Sequence, residues 1–266
     1  MNGSKIRQEK HAKERLGMVS KNCQGCLMEI VKYNSATDII IKFQDENNAL
    51  VHTRWDHFND GSVKNPYFKS VYNMGCIGSK VDYKQTKREY QVWHDMLRRC
   101  YDSSYHKLKP TYINCEVCEE WLNYENFYIW ITSQENYAKW EENKKFNVDK
   151  DILFKNNKIY SPNTCCLVPN NVNTLFIKSD NQRGTYPIGV SEYYKNSGLY
   201  QARCNNQFLG ETIIIGIFDT PEKAFYAYKN YKEHLIKDVA ILEYKNNNIT
   251  KECYDAMMNY QVEITD

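Results

Sequence analysis

The sequence predicts an α+β protein assembled from small modules, and three observations predict it. Short β-rich runs dominate residues 18–80. A strongly amphipathic helix at 89–101 opens the middle of the chain. Three further strand-like runs followed by a helix occupy 187–237. The expected architecture is a small N-terminal β-barrel-like domain, a central ββα module and a C-terminal three-stranded sheet plus helix. The expected boundaries are 1–17 (a basic arm), 18–80, 86–180, 186–240 and 241–266 (a C-terminal tail).

Composition narrows the class. The 266 residues are 42% hydrophobic and 26% charged, which is enough apolar material for more than one core. No run reaches the roughly 18 apolar residues of a membrane span, and the N-terminus is basic without an apolar signal region. The expectation is a cytoplasmic protein with no membrane partner, whose ten cysteines are reduced thiols or metal ligands. A net charge of +2 makes no global case for nucleic acid, but the distribution is uneven. Residues 80–110 carry eight basic side chains against four acidic, and 114–151 carry nine acidic against four basic. Basic flanks around an acidic middle suit phosphate-gripping surfaces beside a cation site, and equally a solvated charge pattern.

Taken in order, residues 1–17 read as a partly helical basic arm, a source of phosphate contacts or a frayed end. Runs at 27–33 and 38–43 flank the turn Asn34-Ser35-Ala36-Thr37 and predict a hairpin; a third run follows at 49–53. Cys23 and Cys26 have metal-ligand spacing, although a single CxxC is weak evidence. In the helix at 89–101, Tyr90, Trp93, Leu97 and Tyr101 recur at three- and four-residue steps as a core face. Cys115 and Cys118, with Cys165 and Cys166, offer a structural zinc set. Adjacent strand cysteines face opposite sides, which counts against it. His52, His94 and His106 are candidate ligands or bases, and His94 beside Asp95 is the first of them to test. Residues 181–186 read as a polar linker. In the last helix, predicted from 221 to about 237, Thr220 is the cap, Pro221 the first residue, and Ala224, Ala227, Tyr228, Tyr231 and Leu235 the buried stripe.

The most informative stretch is 146–173, FNVDKDILFKNNKIYSPNTCCLVPNNVN: a strand, a polar turn at 155–158, a second strand at 165–168 and an Asn-rich helix start after Pro169. It resembles the HNH endonucleases, in particular their phage-encoded, homing-endonuclease-like branch. The phrases YQVWHDMLRRCY and VCEEWLNYENFYIW extend the resemblance over about 90–173, and FNDGSVKNP at 58–66 is similar to a segment that precedes such cores. The resemblance implies a magnesium or manganese ion held by Asp149 with Asn171 or Asn173 from the helix, and catalytic roles for Asp149 and Lys150. Two positions depart from the family pattern. Thr164, with Asn163 beside it, stands near the loop-bracing Asn, and Lys150 stands where the general-base His belongs. An ordinary lysine titrates near about 10.4, so at that position it is a phosphate-binding cation unless burial or a neighbouring cation depresses its pKa.

The C-terminal module resembles the AP2 DNA-binding domain over about 187–237. The resemblance rests on Gly189-Val190, on 198–202 (GLYQA), on 216–224 (GIFDTPEKA) and on Ala227-Tyr228. It implies double-stranded DNA as partner, with the exposed sheet face in the major groove. Carried over by position, the groove-facing residues are Ser191, Tyr193, Arg203, Asn205, Thr212 and Ile214, with Lys195 adding a phosphate contact. Arg203 is the one cation among the six, which implies weaker or different base reading. Three readings follow: a DNA-binding nuclease, a DNA-binding protein on an inactive nuclease scaffold, or a factor that targets another protein.

Overall fold

A computed structural model of the chain describes residues 3–142, 145–177 and 185–266. It is mixed α and β, divided into two compact units: residues 1–113 with 117–129, and residues 114–116 with 130–266. Among the described residues no helix is long and apolar enough to cross a membrane.

The first unit begins with helix α1 (Gly3–Arg15) and a four-stranded antiparallel sheet, β1 (Val19–Lys21), β2 (Leu27–Ser35), β3 (Asp38–Phe43) and β4 (Leu50–Thr53), in sequence order. Alternation along β3 buries Ile39, Ile41 and Phe43 against Met28 and Ile30 of β2. The expected barrel is not formed among the described strands, because β1 and β4 stay as open edges. The apolar face is closed instead by Phe58 of helix α2 (Trp55–Asn59) and by Val63, so no strand-to-strand closure is needed. The basic arm is docked at its end: Arg15 lies 3.7 Å from the Trp55 ring centroid and donates to the Tyr33 hydroxyl at 2.8 Å.

Helix α3 (Lys87–Tyr101) buries Trp93, Met96, Leu97 and Cys100. The stripe is therefore centred one position away from the predicted face, with Tyr90 and Tyr101 half-buried at its margins. Helix α4 (Ser103–Leu108) is capped by Asp102, and strand β5 (Glu116–Val117) and helix α5 (Tyr124–Thr132) follow. Trp93 Nε1 donates to the Trp121 carbonyl at 2.7 Å, and Trp121, Tyr124 and Phe127 are fully buried. The aromatic phrases of the middle thus act as scaffold.

The second unit contains α6 (Tyr137–Glu142), β6 (Phe146–Asp149), β7 (Ile159–Tyr160), β8 (Cys166–Pro169), α7 (Asn170–Leu175), β9 (Val190–Glu192), β10 (Tyr200–Asn206), β11 (Glu211–Phe218), α8 (Pro221–Lys245) and α9 (Lys251–Met258). β6 and β8 pair antiparallel, from Phe146 opposite Pro169 to Asp149 opposite Cys166. β9, β10 and β11 form a three-stranded antiparallel sheet with β10 in the centre. The Thr220 hydroxyl accepts from Lys223 N at 3.2 Å, and Pro221 opens α8 as its sequence predicts.

Three expectations change here. α8 runs on to Lys245. Its buried stripe includes Phe225, Lys232, Ile236, Val239 and Ala240, while Ala227 and Tyr231 are half-buried. The tail is no appendage, because Ile249, Cys253, Met257 and Val262 belong to the core. That core is shared: Ile152, Cys166, Val168, Val172 and Leu175 of the ββα segment pack in one cluster with Ala202, Cys204, Ala224 and Tyr228 of the sheet and helix. Of the expected linker at 181–186, residues 181–184 lie outside the described residues. Gly189, where the chain enters β9, has φ +75°, and a Cβ there would lie 2.1 Å from the Tyr228 ring.

Candidate functional site

The ββα segment places Asp149 at the end of β6, where the chain leaves the ladder. Its Oδ1 accepts from the amides of Asp151 (2.7 Å) and Ile152 (2.9 Å), which fixes the carboxylate in the turn. Oδ2 has no hydrogen-bond partner among the described residues. Burial raises the carboxyl's pKa above the usual range, and the two amide bonds oppose that shift. One held oxygen and one available oxygen is a reasonable single ligand for a hard cation.

Lys150 is built differently from a catalytic base. Its ammonium is buried and donates to both Asp151 carboxylate oxygens (2.8 and 2.7 Å) and to the Asn157 carbonyl (2.8 Å). It also lies 5.8 Å from the Tyr160 ring centroid. All three donor directions of the ammonium are accounted for, so Lys150 ties down the loop after Asp149. Asn157 completes the tie by donating to the carbonyls of Lys150 (2.9 Å) and Ile159 (2.6 Å) and accepting from Ile159 N (3.1 Å). It is the main loop-bracing amide. Thr164 assists, its hydroxyl donating to the Ile159 carbonyl at 2.7 Å. Lys155 pins the same loop to the C-terminal segment, donating to Asp266 (2.8 Å) and the Gln261 carbonyl (3.0 Å).

The expected helix ligands are not assembled around Asp149. α7 begins beyond Pro169, at the Phe146 end of the ladder, so its start lies three residues along the strand from Asp149, on the order of 10 Å. Asn171 Nδ2 donates to Glu243 of α8 at 2.7 Å. Asn173, about 200° round the helix from Asn171, makes no side-chain bond among the described residues. Among those residues no group of three or more His, Cys, Asp or Glu side chains is arranged to hold a metal. The four-thiolate zinc set is therefore not assembled there. Burial pushes the Cys165 thiol up to about 12, and Cys166 is held well above the ordinary thiol range by its contact with Cys253 and by burial. Elsewhere, Cys23 Sγ accepts from Lys64 (2.9 Å), His52 pairs with Asp38 (2.7 Å), and His106 contacts the Arg99 carbonyl (2.8 Å). His94 packs beside Tyr72 and Tyr90.

The C-terminal sheet presents a second candidate. Its inner face, Ala202, Cys204 and Asn206, is buried, and the alternate positions look outward. Register aligns these outward residues in cross-strand rows: Ser191 with Gln201, Arg203 with Ile214, and Asn205 with Thr212. A β-bulge between Ala202 and Arg203 keeps Ile217, opposite Gln201, on the same face as Ile214. Arg203, Asn205, Thr212, Ile214 and Ile217 are exposed, and the Arg203 guanidinium has no ion-pair or hydrogen-bond partner among the described residues. Tyr193 lies just past β9 with its ring 4.2 Å from that of Tyr194, and Lys195 is exposed in the following turn. The fold thus brings Ser191, Arg203, Asn205, Thr212 and Ile214 onto one face of the sheet, and adds Gln201 and Ile217. The two-residue period could have found Gln201.

Comparison with known proteins found no matching family model, no matching curated protein and no matching solved structure.

Proposed function

We propose that the protein binds double-stranded DNA through the outward face of the β9–β10–β11 sheet. The supporting observation is that this face stays open to solvent and carries a guanidinium, amides and hydroxyls in aligned rows, flanked by isoleucines. Arg203, Gln201 and Asn205 supply the donors and acceptors that read base edges, and Ile214 and Ile217 supply apolar contacts of the kind that recognise thymine methyl groups. The test is a gel shift on duplex DNA across a salt series. Salt-sensitive binding weakened by Arg203→Ala supports the reading, and an absence of salt-sensitive binding sinks it.

A second reading is that Asp149 serves a metal-dependent phosphodiester cleavage. It is favoured by the carboxylate's position at the strand end, with Oδ1 fixed and Oδ2 available. Magnesium or manganese bound there would polarise a phosphate and acidify a water. Lys150 would stiffen the loop that carries Asp149, and the proton acceptor would have to be a group other than Lys150. Nicking of supercoiled plasmid by the wild type and not by Asp149→Asn supports this reading. A wild type that binds DNA but does not nick it with either metal leaves the protein a DNA-binding factor on a nuclease-like frame.

A further inference from the structure

β9 is short, and before its first residue no further strand pairs with the β10 edge among the described residues. Arg203 N donates to the Gly189 carbonyl at 2.9 Å, so the main-chain groups of Arg203 point toward the β9 side. By the two-residue period the amide of Asn205 points the same way, beyond the last β9 pairing at Val190. A cleft of about 370 Å³ lies there, walled by Ile188 and Tyr228 and lined by Thr174, Asn205, Arg203 and Lys232 among others, with no carboxylate among its described lining residues. Lys232 comes from α8 and is 9% exposed. Its ammonium has no hydrogen-bond or ion-pair partner among the described residues. Burial depresses its pKa, and its one resolved electrostatic neighbour is the Cys204 thiol.

A buried ammonium without a counter-ion is costly to a folded protein, and such groups are normally paired. Here the sequence places the lysine on the apolar stripe of α8, four residues after Tyr228 and three before Leu235, where an apolar side chain would pack. Arg203 borders the same cleft where its main chain bonds Gly189, with its side chain on the outward face of the sheet. A buried cation, a main-chain amide at the open edge and no carboxylate among the described lining residues make a cleft that lacks one component, an anion.

We propose that this cleft is a phosphate-binding site in which Lys232 is the principal ligand, supported by the Asn205 main-chain amide. The phosphate could be free or part of a DNA backbone, and the chemistry of recognition is the same for both. The site extends beyond the sheet-face reading, because it does not require the outward face to touch bases.

The test uses the full chain. Thermal unfolding is followed with inorganic phosphate against chloride at matched ionic strength, and duplex DNA binding is measured separately, for the wild type and Lys232→Met. For a free ligand, phosphate raises the wild-type midpoint in a concentration-dependent way, and Lys232→Met binds phosphate about ten- to a hundredfold more weakly. Without phosphate the variant is at least as stable as the wild type, because an unpaired buried charge is gone. For a backbone phosphate, Lys232→Met weakens binding uniformly across DNA sequences and reduces the salt slope by about one. Should the variant fail to fold, amine labelling of the wild type replaces it: phosphate or DNA should protect Lys232 and leave Lys223, on the same helix, reactive. Equal phosphate and DNA responses in wild type and variant overturn the proposal, as does labelling of Lys232 that neither ligand changes. A wild type that responds to phosphate but not to DNA sinks the DNA reading and keeps this one.

Discussion

The turn after Asp149 and the outer face of the C-terminal sheet were read from the sequence by the same kind of reasoning, yet the fold treats them in opposite ways. In the turn the side chains singled out are largely engaged internally. Lys150 is bonded three ways to Asp151 and Asn157, and Asn171 is bonded to Glu243. On the sheet, Arg203, Asn205 and Thr212 face solvent with no internal side-chain partner among the described residues. A polar side chain whose hydrogen-bonding capacity is satisfied within the fold has a structural role. One left unsatisfied at an ordered surface is available to a ligand. Substitutions in the turn should therefore change stability without changing DNA binding, and substitutions on the sheet should do the reverse.

The largest effect expected is one that breaks both. Gly189→Ala combines a left-handed backbone with a collision on the Tyr228 ring. It should cost about 2–5 kcal/mol, seen as a lowered denaturation midpoint together with loss of DNA binding. Lys150→Met should cost about 1–3 kcal/mol, less than a fully buried ion pair, because the Asp151 side chain is 45% exposed. Its gel shift should match the wild type. A Lys150→Met protein with unchanged stability and altered DNA binding would reverse the comparison.

Arg203→Ala should weaken DNA binding by about tenfold or more and leave the unfolding midpoint within about 0.5 kcal/mol of wild type. Thr212→Ala should have a smaller, few-fold effect on affinity with the same stability. The smallest effect concerns pH. Burial lowers the folded-state pKa of Lys232, so between that value and the unfolded value near about 10.4 the unfolded chain binds more protons and stability rises with pH. The stability advantage of Lys232→Met should therefore shrink as pH rises through that window in chemical denaturation. Cys204, its one electrostatic neighbour, and Tyr228, which lines the same cleft, are common to both proteins, so the difference isolates Lys232.

What the sequence determined by itself was local. The alternation of β3, the cap and first turn of α8, the strand–turn–strand–helix order of 146–173 and the alternation that exposes Arg203 and Asn205 all depend on neighbours within a few residues. Their periods are fixed by backbone geometry. Even the burial of Lys232 was legible, since it falls on the stripe that runs from Ala224 through Tyr228. Tertiary structure decided what those side chains meet. Asn171 finds Glu243 across 72 residues, and Lys155 finds Asp266 across 111. The ββα segment and the C-terminal sheet, read as separate domains, bury their apolar faces in one core with the supposed tail. The open edge of the first sheet was also settled by distant packing, through Phe58 and Val63. Periodicity states which face of an element is apolar. It carries no information about which other element covers that face, and that pairing determines whether a polar side chain is held inside the fold or left facing solvent.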